Sequence, residues 1–422
     1  APRAARILAR GQGARPEEPV PGEAQAPVVE FVQNLLEQAV RQKASDIHLE
    51  PGDGSFAIRF RVDGTLHTAM TPPVALHPVV ITRLKVMAGM DIAERRLPQD
   101  GRFRIVIDGR EFDCRCSTMP TVHGEKMVIR LLDRAMAGTD LDALGFPGDM
   151  VARIRDLVRR PYGLFLVTGP TGSGKSTTLA ALLKEVDRRR LNVVTIEDPV
   201  EYEIPGASQS QVNVRAGLTF EVALRHFLRQ DPDVIMVGEI RDRETADTAV
   251  RAALTGHLIF STLHTNDAPS SVTRLIDMGI EPFLLGSSLL AVLAQRLVRV
   301  LCPHCRQPYE PGEEVRAIFA AAGVAVPGGT VLYRPNGCHE CRGGYAGRRA
   351  VAELMVMDPA LRDRVTRRAT AVELGRLAVE GGMRPLRQAG LDLALAGVTS
   401  VEEVLRVTEA PSWSRPAPAP TR

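Results

Sequence analysis

The run Gly169-Pro170-Thr171-Gly172-Ser173-Gly174-Lys175-Ser176-Thr177 restricts the fold of this chain more than any other stretch. Gly169 and Gly174 stand at the two fixed glycine positions of a P-loop, and Lys175 and Ser176 follow at once. Glycine lets the backbone turn tightly enough to aim several N–H groups at one anion. A lysine at 175 reaches β- and γ-phosphates, and a hydroxyl at 176 is placed to bind magnesium. Before the run, residues 162–168 form an apolar segment of strand length; after it, residues 178–184 read as helix, with no Pro or Gly. Strand, loop, helix is the order the motif requires, and the helix points its positive end at the phosphates. Residues 169–177 are therefore candidate contacts to a nucleoside triphosphate, with Ser176 on Mg2+.

Length and composition narrow the rest. A chain of 422 residues holds roughly three domains. No apolar run approaches the ~20 residues of a membrane helix, and the start, Ala1 to Arg6, has charge but no apolar core of a signal peptide. The expected location is the cytoplasm, with no direct membrane insertion and any attachment made through partners. The 53 basic and 50 acidic residues nearly cancel to +3, and aromatics are only 4%. That excludes a general nucleic-acid binder, which needs a basic excess and stacking platforms. The triplet Arg188-Arg189-Arg190 reads as the solvated end of a helix.

Along the chain, residues 1–27 read as a flexible leader. Residues 28–137 form a small α+β domain. It opens on an amphipathic helix (Val28, Val29, Val32, Leu35, Leu36, Ala39, Val40) and continues in short strands with turns at Asp63-Gly64 and Asp108-Gly109. Residues 138–300 alternate apolar strands (164–168, 193–197, 234–237, 258–263) with helices, the pattern of a parallel sheet covered on both faces. A cysteine-bearing segment, 301–350, and a helical region, 351–409, follow. The last helix opens on Ser400-Val401-Glu402-Glu403 as a capping box. Residues 410–422 are expected to be disordered, and no internal repeat is present.

In open parallel sheets, ligands bind at the carboxyl ends of the strands, and that rule sorts the candidate acids. Asp233 and Glu239 bracket one apolar run, which separates them by roughly 20 Å in a strand. Glu239 is then the residue that meets magnesium and the attacking water, and Asp233 is structural. His264 closes its strand on the nucleotide side, where it either senses the γ-phosphate or is a hydrogen-bonded core histidine; His257 opens the same strand and is structural. A third strand ends in Glu197, Asp198, Pro199 and Glu201. Asp198-Pro199 suits a turn, which leaves Glu201 and Glu197 for chemistry.

Phosphoryl transfer also needs cations. Arg225 and Arg229, at i and i+4, share a helix face. A second pair comes from hairpin arithmetic. If Asp108-Gly109 is a two-residue turn, Ile107 pairs with Arg110 and Arg102 pairs with Arg115. Phe103, Cys114, Ile105 and Phe112 then face inward, and Arg102 and Arg115 stand side by side on the polar face. Like charges so placed are unfavourable unless an anion lies between them. They are either splayed into solvent or a cationic fork for a nucleotide, held by a neighbouring subunit.

Cys302-Pro303-His304-Cys305 and Cys338-His339-Glu340-Cys341 are two C-x-x-C knuckles. In an intracellular chain they predict tetrahedral zinc bound by four thiolates, with no open position and so a structural role. The 32 residues between Cys305 and Cys338 form a small lobe. A redox pair is the alternative reading. Cys114 and Cys116 read as core thiols, two apart on an apolar strand face.

Together these motifs resemble the assembly ATPases of bacterial type II secretion and type IV pilus systems, over residues 45–408. Matching stretches are Ser45-Asp46-Ile47-His48-Leu49-Glu50-Pro51, the P-loop, 195–202 (an aspartate box), 228–233, 234–242 (a Walker B region), 256–268 (a histidine box), 294–298 and the cysteine knuckles. The resemblance implies an α/β fold: a RecA-like P-loop NTPase domain preceded by a small α+β, PAS-like domain and followed by a four-cysteine zinc module and a helical C-terminal region. It further implies ATP and Mg2+, a homo-hexamer, and hydrolysis that drives domain rotation. Its expected partners are the cytoplasmic domains of an inner-membrane secretion platform. Pilus retraction ATPases lack the cysteine module, so assembly is favoured; the ending at 399–408 favours secretion over pilus extension. Two departures stand out. Ser176 replaces the family's frequent Thr, and the family's N-terminal docking domain is missing ahead of residue 28, through truncation or a different recruitment. Readings of other classes are a RecA-like nucleic-acid motor and a scaffold whose ATPase is vestigial.

Overall fold

Val32, Leu35, Leu36, Ala39 and Val40 lie along one side of the helix Ala26–Arg41 and are all buried. They pack with the helix His77–Ala88 against an antiparallel sheet of seven strands. The computed structural model describes residues 6–8, 26–134 and 139–410, and the chain divides into two units, 1–138 and 139–422. In the first unit the strand order is Arg6–Leu8, Gln99–Ile107, Arg110–Thr121, Gly124–Asp133, Ala44–Gly52, Ser55–Val62, Thr65–Met70. Three residues of the expected leader, Arg6–Leu8, thus add an edge strand, and Ala26 already belongs to the first helix. The rest of the leader, 1–5 and 9–25, lies outside the described residues.

The hairpin register is as the arithmetic requires: Ile107 opposite Arg110, Arg102 opposite Arg115. Asp108 and Gly109 both take positive φ, 51° and 80°, the backbone a two-residue type I′ turn needs. Phe103, Ile105, Phe112 and Cys114 are buried, and Arg104 pairs with Asp113 at 2.8 Å. The row through Arg102 and Arg115 runs on across the sheet to Arg130, Asp46 and Arg61. Asp46, nearly buried, binds Arg130 at 3.1 Å and Arg61 at 3.7 Å.

In the second unit the strand order is Ala207–Gln211, Val193–Glu197, Val234–Val237, Leu258–Leu263, Gly163–Thr168, Leu289–Leu301, Tyr345–Val356. The first six are parallel and the last is antiparallel to its neighbour. Along Gly163–Thr168, Leu164 and Leu166 enter one apolar cluster while Phe165 and Val167 enter another on the opposite face. A strand buried on both faces has no polar alternation, which is why these segments read as continuous apolar runs.

The cysteine-bearing segment leaves and rejoins between two neighbouring strands of this sheet, Leu289–Leu301 and Tyr345–Val356. It carries the helix Glu313–Ala321 and a hairpin of Gln307–Tyr309 with Leu332–Arg334. Phe319, Val324 and Leu332 pack against Leu391, Ala394, Val401 and Val404 of the C-terminal helices.

Two local expectations differ, and a third, the tail, is not reached. Arg188–Arg190 lies in a turn beyond the helix Lys175–Glu185. Residues 411–422 lie outside the described residues. Ser400 Oγ does accept from Glu403 N–H, but no reciprocal bond closes a capping box. The Glu403 carboxylate is taken by Arg299 and Arg406, both at 2.7 Å. A capping box does form at Thr370 and Glu373.

Burial pushes the Glu403 carboxyl up, and the bonds from Arg406 and Arg299 outweigh it and hold it at about 2. A depressed carboxyl stabilises the fold above its unfolded pKa and loses that contribution as pH falls through the folded one. Glu403→Gln should therefore cost about 3 kcal/mol at neutral pH. In urea denaturation, the gap between the two proteins should shrink as pH falls from 4.5 towards 2.

Candidate active site

The P-loop leaves the strand Gly163–Thr168 and runs into the helix Lys175–Glu185. Gly174 holds a left-handed φ of 90° at the helix start, and a Cβ on Gly169 would fall 2.5 Å from the backbone oxygen of Gln295. Gly174 is needed for its dihedral angle and Gly169 for its close approach. Lys175 Nζ donates to the loop's own carbonyls at Gly169 (2.8 Å) and Pro170 (3.1 Å). Desolvation lowers its pKa while Glu239 opposes that. The hydroxyl of Ser173 is buried without a hydrogen-bond partner. Ser176 is exposed in the first helical turn, and Thr171 and Gly172 are exposed on the loop. A buried orphan hydroxyl, a cation turned onto carbonyls and a helix N-terminus make a cradle that fits a phosphate chain. Pro170 and Thr177 complete the loop.

Glu239 follows the carboxyl end of Val234–Val237, as the strand rule requires, and His264 follows Leu258–Leu263 beside it. The two meet at 3.2 Å, His264 Nε2 to Glu239 Oε2. Arg241 binds the other carboxylate oxygen and reaches Asp198 at 3.6 Å. Burial pushes the Glu239 carboxyl up, but Arg241, then His264, hold it below its usual range. It is a carboxylate, an acceptor, at neutral pH.

Glu197 ends its strand half-buried, accepting from Thr195 Oγ1 at 2.7 Å and Gln209 Nε2 at 2.9 Å; burial pushes its pKa up. Glu201 lies near enough to Lys175 to favour its charged form. The sequence-predicted acids and His264 thus gather at one edge of the sheet. Asp233 accepts from Asn192 N–H at 2.7 Å, and His257 contacts the Ala252 carbonyl through Nδ1 at 3.0 Å, both at the opposite ends of their strands.

The cations behave differently. Arg225 is paired with Glu221 at 2.6 Å. Arg229 does not share its helix face, because Phe220–Phe227 ends first; Arg229 turns back to the Arg225 carbonyl and His226. Arg102 and Arg115 belong to the first unit.

Cys302, Cys305, Cys338 and Cys341 bring their sulfurs within 4.8 Å of one another. The 3.9 Å from Cys302 to Cys338 and 3.6 Å from Cys305 to Cys341 compare with about 3.8 Å between thiolates in a tetrahedral site with 2.3 Å metal–sulfur bonds. The donor set fits one tetrahedral metal ion. Cys114 and Cys116, in the first unit, are buried strand thiols whose pKa values desolvation raises.

The family described as type II/IV secretion system protein matches residues 22–406. The chain belongs to that family. The type II secretion system ATPase E of Vibrio cholerae is 49% identical over 398 residues, 93% of this chain and 78% of that protein. The type IV pilus assembly ATPase PilB of Myxococcus xanthus is 49% identical over 382 residues, 90% of this chain and 68% of its own length. Among solved structures, the pilus retraction motor PilT with bound ADP is 26% identical with a TM-score of 0.60, covering 90% of this chain and 97% of that one. The ATPase DotB of Legionella pneumophila, 21% identical, shares the fold with a TM-score of 0.64 over 93% of this chain and 97% of its own.

Within this secretion-family site, Arg241, two residues beyond Glu239, is a functional residue that no sequence pattern singled out. Gln295 and Arg296 fall in the matching stretch 294–298 without an assigned role, and their place beside the P-loop depends on a strand, Leu289–Leu301, that the sequence reading left unassigned. If Arg241 holds Glu239 ionised, Arg241→Gln should move the Glu239 carboxyl titration upward, followed by carbon-detected NMR. An unmoved titration would show that His264 suffices.

Proposed function

We propose that this chain is the ATPase of a type II secretion system. It hydrolyses ATP to ADP and phosphate as a homo-hexamer, at the cytoplasmic side of an inner-membrane platform, and drives pseudopilus assembly and protein export. The observation that carries the reading is the meeting of Glu239 and His264 at the sheet edge that also bears the phosphate cradle. The relatives near 50% identity named type II secretion system protein E support the biological setting. No helix among the described residues is long and apolar enough to cross a membrane, in keeping with a motor that works through partners.

The P-loop N–H groups, Lys175 and the Ser173 hydroxyl would hold the phosphates, and Ser176 would hold Mg2+. Bound ATP supplies the phosphoanhydride bond that is cleaved. Glu239, kept ionised, accepts a proton from water, and His264 orients the Glu239 carboxylate. Glu197 and Glu201 would shape the metal's hydration. Arg102 and Arg115 supply cations to a nucleotide from the first unit of a neighbouring subunit, and Arg225 and Arg229 add to them once released from their present partners. Zinc in the four-cysteine cluster is structural, because four thiolates leave no open position.

An arginine finger contributes roughly 10³–10⁵ in rate. Arg102→Ala should thus nearly abolish hydrolysis and spare nucleotide binding, and a mutant within a few-fold of the parent would remove the fork from the mechanism. Glu239→Gln should bind ATP and not turn it over. Adding a cytoplasmic fragment of the platform should raise both ATPase activity and oligomer size. Pilus extension is the second reading, favoured by the PilB relative; complementation of secretion-deficient and pilus-deficient strains separates the two. Elemental analysis should find one zinc per chain. Cys305→Ser with Cys338→Ser should lose it and lower the unfolding midpoint of the unit that carries Phe319 and Val404.

A further inference from the structure

The strand Leu289–Leu301 pairs with the P-loop strand up to Ala294 opposite Thr168 and then runs on beside the loop. The next residue, Gln295, is 1% exposed. Its Nε2 donates to the Ser173 carbonyl at 2.7 Å, and its Oε1 accepts from Thr178 Oγ1 at 2.8 Å. Only a donor can face a carbonyl, so the orientation of the amide is fixed by its partners. One side chain thereby ties the tip of the P-loop to the first turn of the helix that follows it.

The fit is close on both sides. A Cβ on Gly174 would come within 3.2 Å of Gln295 Nε2, and one on Gly169 within 2.5 Å of the Gln295 carbonyl oxygen. The loop therefore lies flush on this strand, and the glycines leave room for Gln295 as well as for a phosphate. Arg296 points to the other face, as strand alternation demands. It donates to the Asn266 carbonyl at 2.8 Å and the Gln295 carbonyl at 3.0 Å, which fastens the strand to the loop after His264.

We infer that Gln295 is a positioning residue for nucleotide binding: it sets the Ser173–Gly174 turn, and so the aim of the loop's N–H groups and of the Ser173 hydroxyl, without touching the nucleotide itself. Thr178 acts through it. The inference rests on the ATPase reading above. A preset cradle contributes equally to ground state and transition state, so its loss appears in KM and nucleotide affinity more than in kcat.

The test is titration with MgADP and steady-state ATPase kinetics on the full chain and its variants, with unfolding midpoints measured alongside. Gln295→Leu removes both bonds and should weaken MgADP binding and raise the KM for ATP about tenfold, the equivalent of about 1.4 kcal/mol, with kcat within about threefold. Gln295→Glu keeps the acceptor for Thr178 but loses the donor to Ser173, and should weaken binding at least as much. Thr178→Val should weaken binding by a smaller factor, and adding it to Gln295→Leu should cost nothing more. Should Gln295→Leu not fold, Thr178→Val and Gln295→Glu carry the same comparison. Unchanged MgADP affinity in folded variants whose only defect is a lowered midpoint would overturn the inference. A parent chain that binds no MgADP would overturn the ATPase reading, and this inference with it.

Discussion

Parallel register is the constraint on which the candidate site depends. Val237 pairs with Ile196 and Ser261, and Leu263 pairs with Thr168. Four neighbouring strands therefore end within two residues of one another, and their carboxyl ends deliver Glu197, Glu239 two residues beyond Val237, His264 and Gly169 to one edge. No side chain has to reach far. The chemistry of the edge follows from which residues occupy the first positions past the strands, and the strands can hold that geometry because both of their faces are buried.

Glu239 shows how that edge sets a protonation state. A half-buried carboxylate among other acids would tend to protonate. Arg241 and His264 take one oxygen each, so the charge is kept despite desolvation. Glu197, on the next strand but with only neutral donors from Thr195 and Gln209, goes the other way and is pushed up. Two carboxylates at the same edge are thus driven apart by their partners. On the proposed reading, Glu239 is the proton acceptor because it is kept ionised, and Glu197 belongs to the shell around it.

What could be read from the sequence follows the range of the signal. The hairpin at Asp108-Gly109 was legible to the residue, because a two-residue turn fixes register with no reference to the rest of the chain. The strands ending at Thr168, Glu197, Val237 and Leu263 were legible because burial on both faces leaves an unbroken apolar run. Tyr345–Val356 was hidden because it starts in an irregular Gly- and Arg-rich stretch and pairs with a strand more than forty residues earlier. Glu403 was misassigned for a related reason. Its spacing from Ser400 suits a capping box, but Arg299 approaches from a distant strand and takes the carboxylate. Local rules give way wherever a charged partner arrives from elsewhere in the fold.

The strand Leu289–Leu301 connects these parts. Gln295 on one face holds the P-loop, and Arg296 on the other holds the loop after His264. That loop leads into the helix Ala268–Asp277, whose first N–H bonds the buried Glu353 at 2.8 Å. The other Glu353 oxygen accepts from Leu386 N–H, at 2.9 Å, at the start of a C-terminal helix. Desolvation pushes the Glu353 carboxyl to about 7 even with both bonds made, so the linkage sits where water does not compete for it. Phosphate cradle, histidine loop and C-terminal helix are thereby bonded in series through two neighbouring strands. A shift of one is resisted by the others, because each bond is buried and leaving it unmade costs more than its net worth when formed. On the proposed reading, the second unit then answers the nucleotide as one body, and the work of hydrolysis is expressed in the movement of that body rather than in rearrangement within it.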